Sequence, residues 1–271
     1  MLPPLRAVVT GEFLGTLLLV LLGDGVVASV ELLGKQADWI VITTGWALAV
    51  TLGVYVSGRS SGGHLNPAVT LALATRGEVA WGRLPVYWLA QLAGAFAGAT
   101  LVYLDYSSAF AAFEATHSIT RGAMEGGRLA GPAAGGAGIF CTFPAFDGLL
   151  GNLFSEALGT AVLLLAVRAL TDRRNASPGA NLGPVLVGAT VWAIGLSLGG
   201  LTGYAINPAR DLGPRLAAAV FGWGASVFQS HGLYFWVPIV GPLVGGVVGA
   251  WVYDLLIHPN LSPEPEQGTS P

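Results

Sequence analysis

The sequence predicts an all-α membrane protein: six transmembrane helices plus two re-entrant half-helices, set out as an inverted internal repeat. Three observations carry this. Of the 271 residues, 53% are apolar and only 10% charged, against about 25% charged in a soluble globular chain. Six stretches approach the roughly 20 apolar residues needed to cross a bilayer's hydrocarbon core. Two shorter apolar pieces, each led by Asn-Pro-Ala, stand at matching places in the two halves. The composition excludes a disordered chain, a basic nucleic-acid binder and an ordinary cytosolic enzyme. Cys141 is the one cysteine, so no internal disulfide forms and packing alone must hold the fold.

In chain order, the first expected span covers residues 7–30. It contains Glu12 and Asp24, which the apolar core of a cleaved signal peptide would not hold, and few basic residues flank it. The second span covers 39–56. Residues 67–75 then make an apolar piece of about half a span. The third span is 85–104, and a long connection over about 105–150 leads to the fourth, 153–170. The fifth is 184–200, a second half-span piece covers 208–221, and the sixth span is 233–257. Short, Pro-interrupted segments at corresponding places in two halves point to re-entrant helices lining a pathway. A single transmembrane domain thus occupies 1–258, with repeat one at about 7–104 and repeat two at about 153–257. Residues 259–271, rich in Pro, Glu, Ser and Gly, read as a disordered cytoplasmic tail. With the N-terminus inside, the cytoplasmic loops hold Arg6, Arg59, Arg76, Arg83, Arg168, Arg173 and Arg174, and the opposite side holds Lys35, Arg121 and Arg128. This excess places both termini in the cytoplasm and the 105–150 connection outside.

The repeat is visible residue by residue. Glu12-Phe-Leu-Gly15-Thr16 opens the first half and Glu156-Ala-Leu-Gly159-Thr160 the second. His64-Leu-Asn66-Pro67-Ala68-Val69 answers Ala205-Ile-Asn207-Pro208-Ala209-Arg210. Late in each half comes a pair of small residues at helical spacing, Gly94/Gly98 and Gly245/Gly249, suited to close helix packing. Three spans per half is an odd number, so the halves lie in the membrane with opposite orientation. Their half-helices therefore enter from opposite faces and meet near the midplane.

Asn-Pro-Ala spells a helix start. Asn is a favoured cap, Pro suits the first helical position and Ala is the best helix former. Two starts meeting head to head, Asn66-Pro67-Ala68 and Asn207-Pro208-Ala209, oppose two positive dipole ends of about half an elementary charge each. That field repels cations and protons. Irregular chain leading to each cap, expected over 58–65 and 201–206, leaves carbonyls free. At membrane depth such chain is tolerated only when buried or lining a wet cavity. Gly62, Gly63, His64, Leu65, Ala205 and Ile206 are therefore expected to line a pore. Carbonyls in a row with two amide donors suit water or hydroxylic solutes. Glu12 and Glu156 lie within spans and are read either as a proton relay or as buried acceptors that hold the two loops. Their symmetric placement favours the second role. Asp24 has no counterpart in the second half and is placed near the outer end of the first span.

These residues resemble the aquaporin family (major intrinsic proteins) over nearly the whole chain, from Glu12 to about Tyr253. The segments Ser61-Gly-Gly-His64-Leu-Asn66-Pro-Ala-Val-Thr70 and Leu201-Thr-Gly-Tyr204-Ala-Ile-Asn207-Pro-Ala-Arg210-Asp211-Leu-Gly213-Pro214-Arg215 look like its two signatures. The resemblance implies an aquaporin-like fold, a homotetramer with one pore per subunit, and an outer selectivity filter of Trp46, Gly195, Tyr204 and Arg210. For Trp46 the alternative is a belt aromatic at the membrane interface; its spacing from Asn66 favours the filter. Water-selective members place His where Gly195 falls. Glycine there leaves room, so that Trp46 and Tyr204 form an apolar corner for a carbon backbone. Tyr204 departs from the Phe usual in the bacterial glycerol facilitator. Asp211, grouped with Glu12 and Glu156 as structural support, resembles the glycerol-conducting branch, as do Glu114-Ala-Thr-His117 and Arg121-Gly. The expected function is a passive channel for glycerol and related small uncharged polyols, also passing water and excluding ions and protons. It would sit multi-pass in a cell membrane (the inner membrane if bacterial), in contact with lipid and without nucleic acid, metal or cofactor. Alternatives are a mainly water-conducting aquaporin or a proton-coupled secondary transporter using Glu12 and Glu156. An enzyme is not expected: paired catalytic carboxylates, a nucleophile elbow and a phosphate-cradling loop are absent from the sequence.

Overall fold

A computed structural model describes residues 3–34 and 38–262. Lys35 and residues 263–271 of the expected tail lie outside the described residues. Helices α1 (Leu5–Leu33) and α2 (Trp39–Ser61) open the chain. Each ends on a glycine with positive φ, Gly34 at 59° and Gly62 at 98°, a conformation that strains any residue with a Cβ. Helix α2 runs further than expected, so the irregular chain before the first half-helix is only 62–65. No proline interrupts 57–61, the Ser60 and Ser61 hydroxyls both bond back to the Ser57 carbonyl, and Gly62 is the first residue there to leave helical φ.

Half-helix α3 (Pro67–Thr75) has 9 residues, about 14 Å at 1.5 Å per residue. Helix α4 (Leu84–Asp105) closes the first half. The connection beyond it has structure of its own. It forms α5 (Ser107–His117), an antiparallel hairpin of β1 (Met124–Glu125) and β2 (Arg128–Leu129), and the short α6 (Pro132–Gly138). The second half follows as α7 (Leu149–Thr171), α8 (Gly183–Leu198) and half-helix α9 (Pro208–Ala218). The α-helical part of α9 stops before residue 221, because Ala219–Trp223 widen into a π-type turn broken by Gly222 at φ 114°. Helix α10 (Ser226–Leu233) bends at His231 and Gly232, both with positive φ, and so the last span, α11 (Val237–Leu256), begins later than residue 233.

Among the described residues, five helices are long and apolar enough to cross a membrane. Helix α8 is shorter, with 16 residues. Its Gly199-Gly200 end delivers the chain into a mostly buried loop, 199–206. His258–Asn260, at the start of the expected tail, form a turn. It is pinned by Arg174 Nη2 donating to the His258 carbonyl at 2.5 Å and by His258 Nδ1 at 2.7 Å from Asp172.

The halves are built alike. Helix α4 packs on α1, and α11 on α7. At Gly94 and Gly98 an added Cβ would fall 2.3 and 2.6 Å from the carbonyl oxygens of Phe13 and Leu17; at Gly245 and Gly249 it would fall 1.9 and 2.1 Å from those of Ala157 and Ala161. Only glycine permits backbones this close. Each half-helix then packs on the closing helix of the other half, α3 on α11 and α9 on α4. Gly246 beside the Ala68 carbonyl and Gly213 beside Ala95 make those contacts. Exposure is inverted relative to a water-soluble protein. Leu89 and Leu104 are 66% and 61% exposed, while Glu12, Asp24, Glu156 and Arg215 are fully buried. Such a surface suits lipid, and such a core requires each buried charge to have partners.

Candidate functional site

The two half-helices start against one another. The Oδ1 atom of Asn66 accepts from the Ala68 amide at 2.8 Å, and that of Asn207 from the Ala209 and Arg210 amides at 3.0 and 3.3 Å. Pro67 and Pro208 occupy the first helical position. The Asn66 Nδ2 group donates to the Ile206 carbonyl and Asn207 Nδ2 to the Leu65 carbonyl, each at 2.8 Å. Each cap thus braces the loop of the opposite half. One N–H of each amide is used in this brace and one is left for a passing solute.

Both loops hang on buried carboxylates. Glu12 accepts from four donors: Ser61 Oγ (2.6 Å) and the His64 amide (3.0 Å) on one oxygen, the Leu65 amide and Gln91 Nε2 (both 2.7 Å) on the other. Glu156 takes the Ala205 amide at 3.0 Å and the Ile206 amide at 2.8 Å. The residues just before the two asparagines, Leu65 and Ile206, have φ of 52° and 43°, and Tyr204 has 39°. Such backbone costs about 1–2 kcal/mol per residue outside glycine and persists because the surroundings over-determine it. Among the described residues, no hydrogen bond ends on the carbonyls of Gly62, Gly63, His64, Gly203, Tyr204 or Ala205. They are free acceptors.

A cavity of about 330 Å³ runs along these loops. Trp46, Tyr204 and Arg210 line one end; Glu78, Thr171 and Gly183 line the other; Asn66 and Asn207 lie between. All six residues expected to line a pore, Gly62, Gly63, His64, Leu65, Ala205 and Ile206, are on its wall. Pro67, Ala68, Pro208 and Ala209 lie behind the two asparagines, off the wall. The His64 ring stacks on Tyr87, centroids 4.7 Å apart, with Nδ1 3.2 Å from Thr70 Oγ1.

At the Arg210 end, the guanidinium lies 4.0 Å above the Trp46 ring and Nη1 is 3.5 Å from the Phe140 carbonyl. The connection between the halves thus contributes a backbone acceptor to Arg210 that the sequence does not announce. Gly195 is not itself on the cavity wall. A Cβ there would stand 2.9 Å from Tyr204 Cζ, and one at Gly199 would stand 2.5 Å from Tyr204 Cδ1. The Tyr204 ring fills the room these glycines leave, meeting Trp39 edge-on at 5.8 Å. Its hydroxyl has no hydrogen-bond partner among the described residues. Asp24 is closer to the site than expected, with Oδ1 3.9 Å from Arg210 Nη1. Asp211 bonds Arg215 Nε at 2.8 Å and both the amide and hydroxyl of Thr142 at 2.8 and 2.7 Å. Arg215 in turn donates to the Thr142 and Val227 carbonyls, tying α9 to the long connection. Arg121 Nε meets Glu114 at 2.5 Å, and its guanidinium also bonds Tyr103 and the Phe221 carbonyl.

At the other end, Asp254 bonds both Arg76 and Arg168, and Arg168 Nη1 also reaches Glu78 at 2.5 Å. This cluster joins the ends of α3, α7 and α11 and was not foreseen, because its members are scattered through the sequence. Beside it, burial acts to raise the Asp172 pKa. Hydrogen bonds from His258, the Arg174 amide and Tyr253 outweigh that and hold the carboxyl below its ordinary value. Among the described residues, no three His, Cys, Asp or Glu side chains are grouped to hold a metal ion.

Residues 2–253 match the family described as Major intrinsic protein. The chain is 47% identical over 253 residues to the probable glycerol uptake facilitator protein of Thermotoga maritima, covering 92% of this chain and 99% of that one. It is 45% identical to glycerol uptake facilitator protein 3 of Lactiplantibacillus plantarum, covering 93% and 98%. The X-ray structure of the aquaglyceroporin from Plasmodium falciparum superposes with a TM-score of 0.82 at 34% identity, covering 94% of this chain and 98% of that one.

Proposed function

The chain belongs to the major intrinsic protein family, and from that membership we propose that it is a passive membrane channel for glycerol and related small uncharged solutes, also passing water and excluding ions and protons. The observation that carries this reading is the cavity itself. Its lining includes both asparagines and loop residues whose carbonyls accept no hydrogen bond among the described residues, together with apolar and aromatic side chains. A polyol presents hydroxyls to one wall and its carbon chain to the other. The loops replace its hydration in single file, and the solute moves down its gradient without a coupled reaction.

Selectivity is assigned to Trp46, Tyr204 and Arg210, with Gly195 acting from behind by seating the Tyr204 ring. Asn66 and Asn207 present their remaining N–H groups at the centre, where two half-helix amino ends repel cations. Glu12, Glu156 and Asp211 serve as structural acceptors. Four donors on Glu12 support that role over a proton relay, and the chain is a channel rather than a coupled carrier or an enzyme. We place residues 1–258 in one channel domain of a multi-pass cell-membrane protein, with both termini cytoplasmic and the 105–150 connection outside. Four copies assemble, each with its own pore.

The test is stopped-flow swelling of proteoliposomes in glycerol and in water. Fast, non-saturating glycerol entry, insensitive to a proton gradient, is expected; saturation at low concentration or gradient dependence would refute the reading. In Gly195→His the new side chain must displace Tyr204 into the passage. Glycerol flux should then fall at least tenfold, the equivalent of about 1.4 kcal/mol of barrier, while water flux falls less. Equal losses of both would refute the filter assignment.

A further inference from the structure

Three carboxylates are fully buried in the membrane part of the first two-thirds of the chain, and they are treated very differently. Glu12 has four hydrogen-bond donors and Glu156 has two backbone amides. Neither oxygen of Asp24 has a donor among the described residues. A structural acceptor would be surrounded by donors, as Glu12 is. What Asp24 has instead is a cation, Arg210, with Nη1 3.9 Å away. The other carboxylate near Arg210 is Asp211, and it is committed to Arg215 and Thr142. Asp24 is thus the carboxyl group left facing the Arg210 guanidinium. Its neighbour Gly23 fixes the geometry further: a Cβ at Gly23 would meet the Trp46 ring at 2.3 Å, so the ring lies against α1, and Arg210 lies on that ring. One turn of α1 carries both the seat of the aromatic wall and the charge behind the guanidinium.

We propose that Asp24 is a specificity-determining positioning residue: it draws the Arg210 guanidinium against the cavity wall and balances its charge, so that the Arg210 end passes neutral solutes without collecting anions. The inference rests on the channel reading above. A lone cation in a narrow passage with low-dielectric walls concentrates ions of opposite sign by tenfold or more, and the two half-helix amino ends add to the same positive field. Where Asp24 carries its charge, the guanidinium keeps its N–H donors for hydroxyl groups while its net pull on anions is cancelled.

The experiment uses the full-length channel in vesicles of uncharged lipid. Glycerol entry is read by light scattering, and chloride entry by quenching of a trapped halide-sensitive dye. Wild type should pass glycerol and give no chloride signal above empty vesicles; failure to pass glycerol would sink the channel reading on which this one rests, whereas the Asp24 variants decide this one alone. Asp24→Asn should raise the chloride-to-glycerol flux ratio roughly tenfold or more, and Asp24→Glu should bring it back toward wild type. A ratio unchanged in Asp24→Asn, or a rise that Asp24→Glu does not reverse, overturns the proposal. Should Asp24→Asn fail to fold, the double variant Asp24→Asn/Arg210→Gln decides. Recovered yield supports the pairing, since both charges are then gone; no recovery overturns it.

Discussion

Removing the Tyr204 hydroxyl is the smallest change that addresses selectivity. The group is buried without a hydrogen-bond partner among the described residues and belongs to a side chain on the cavity wall. Tyr204→Phe leaves the ring on its glycine seat and relieves an unpaired polar atom. Stability should hold or rise by about 1 kcal/mol, and the ratio of glycerol to water flux should increase, both measurable by melting and stopped-flow scattering. Glu12→Gln acts the other way. Its new amide group would face at least two of the donors that Glu12 now accepts, which costs about 1–3 kcal/mol. A lower melting temperature with reduced yield is expected, whatever the pH gradient. At this scale the asparagines and the two glutamates were legible in the sequence as polar types in an apolar, repeated setting, while Arg210 came from the resemblance to the aquaporin family. The seat of Tyr204 was not. It depends on Gly199 as well as Gly195 and on a backbone φ of 39° at Tyr204, and no spacing rule encodes that. Asp24 was noticed as an intramembrane charge, but its partner stands in the other half of the chain.

Among the elements, the helix pairs that close each half depend on glycine at the contact. Gly245→Ala puts a Cβ where the Ala157 carbonyl now lies, 1.9 Å away, so α11 must back off from α7. Overpacking of this kind costs about 1–3 kcal/mol or more. Gly94→Ala should act in the same direction in the first half, and detergent-solubilised yield and melting would register both. The α7–α8 loop and the end of α11 are joined by Asp172 and His258. A carboxylate held below its ordinary value contributes stability that is complete above about pH 4 and fades as pH falls through the lowered folded value. Melting curves of wild type and Asp172→Asn should therefore differ at pH 6 and converge in strong acid. Helix existence was readable from apolar runs, and α3 from its cap to its last residue. The ends of α2 and α9 were misplaced because they depend on serine back-bonding and on a glycine turn. The small helices and hairpin of the connection were missed because they lack a long apolar period.

For the whole molecule, the repeat, its inversion and the meeting of the half-helices followed from counting and from Asn-Pro-Ala alone. The exchange of support was not legible: α3 rests mainly on α11 and α9 mainly on α4, so each half lacks most of the surface its own half-helix packs on. Residues 1–148 and 149–271 produced as separate chains should each fail to conduct glycerol. Produced together they should restore flux, as read by vesicle swelling. Flux from either piece alone would contradict the exchange.

The reciprocal bonds from Asn66 to Ile206 and from Asn207 to Leu65 also impose a schedule on biogenesis. A ribosome emits Leu65 long before Asn207 exists, so the earlier loop must wait, its carbonyl unclaimed, while the later segments are threaded into the bilayer. Completion is all at once: the newcomer's amide latches the waiting strand in the same act that the waiting amide latches the newcomer. A nascent chain arrested before residue 207 has no functioning conduit at all, which spares the cell a half-made leak.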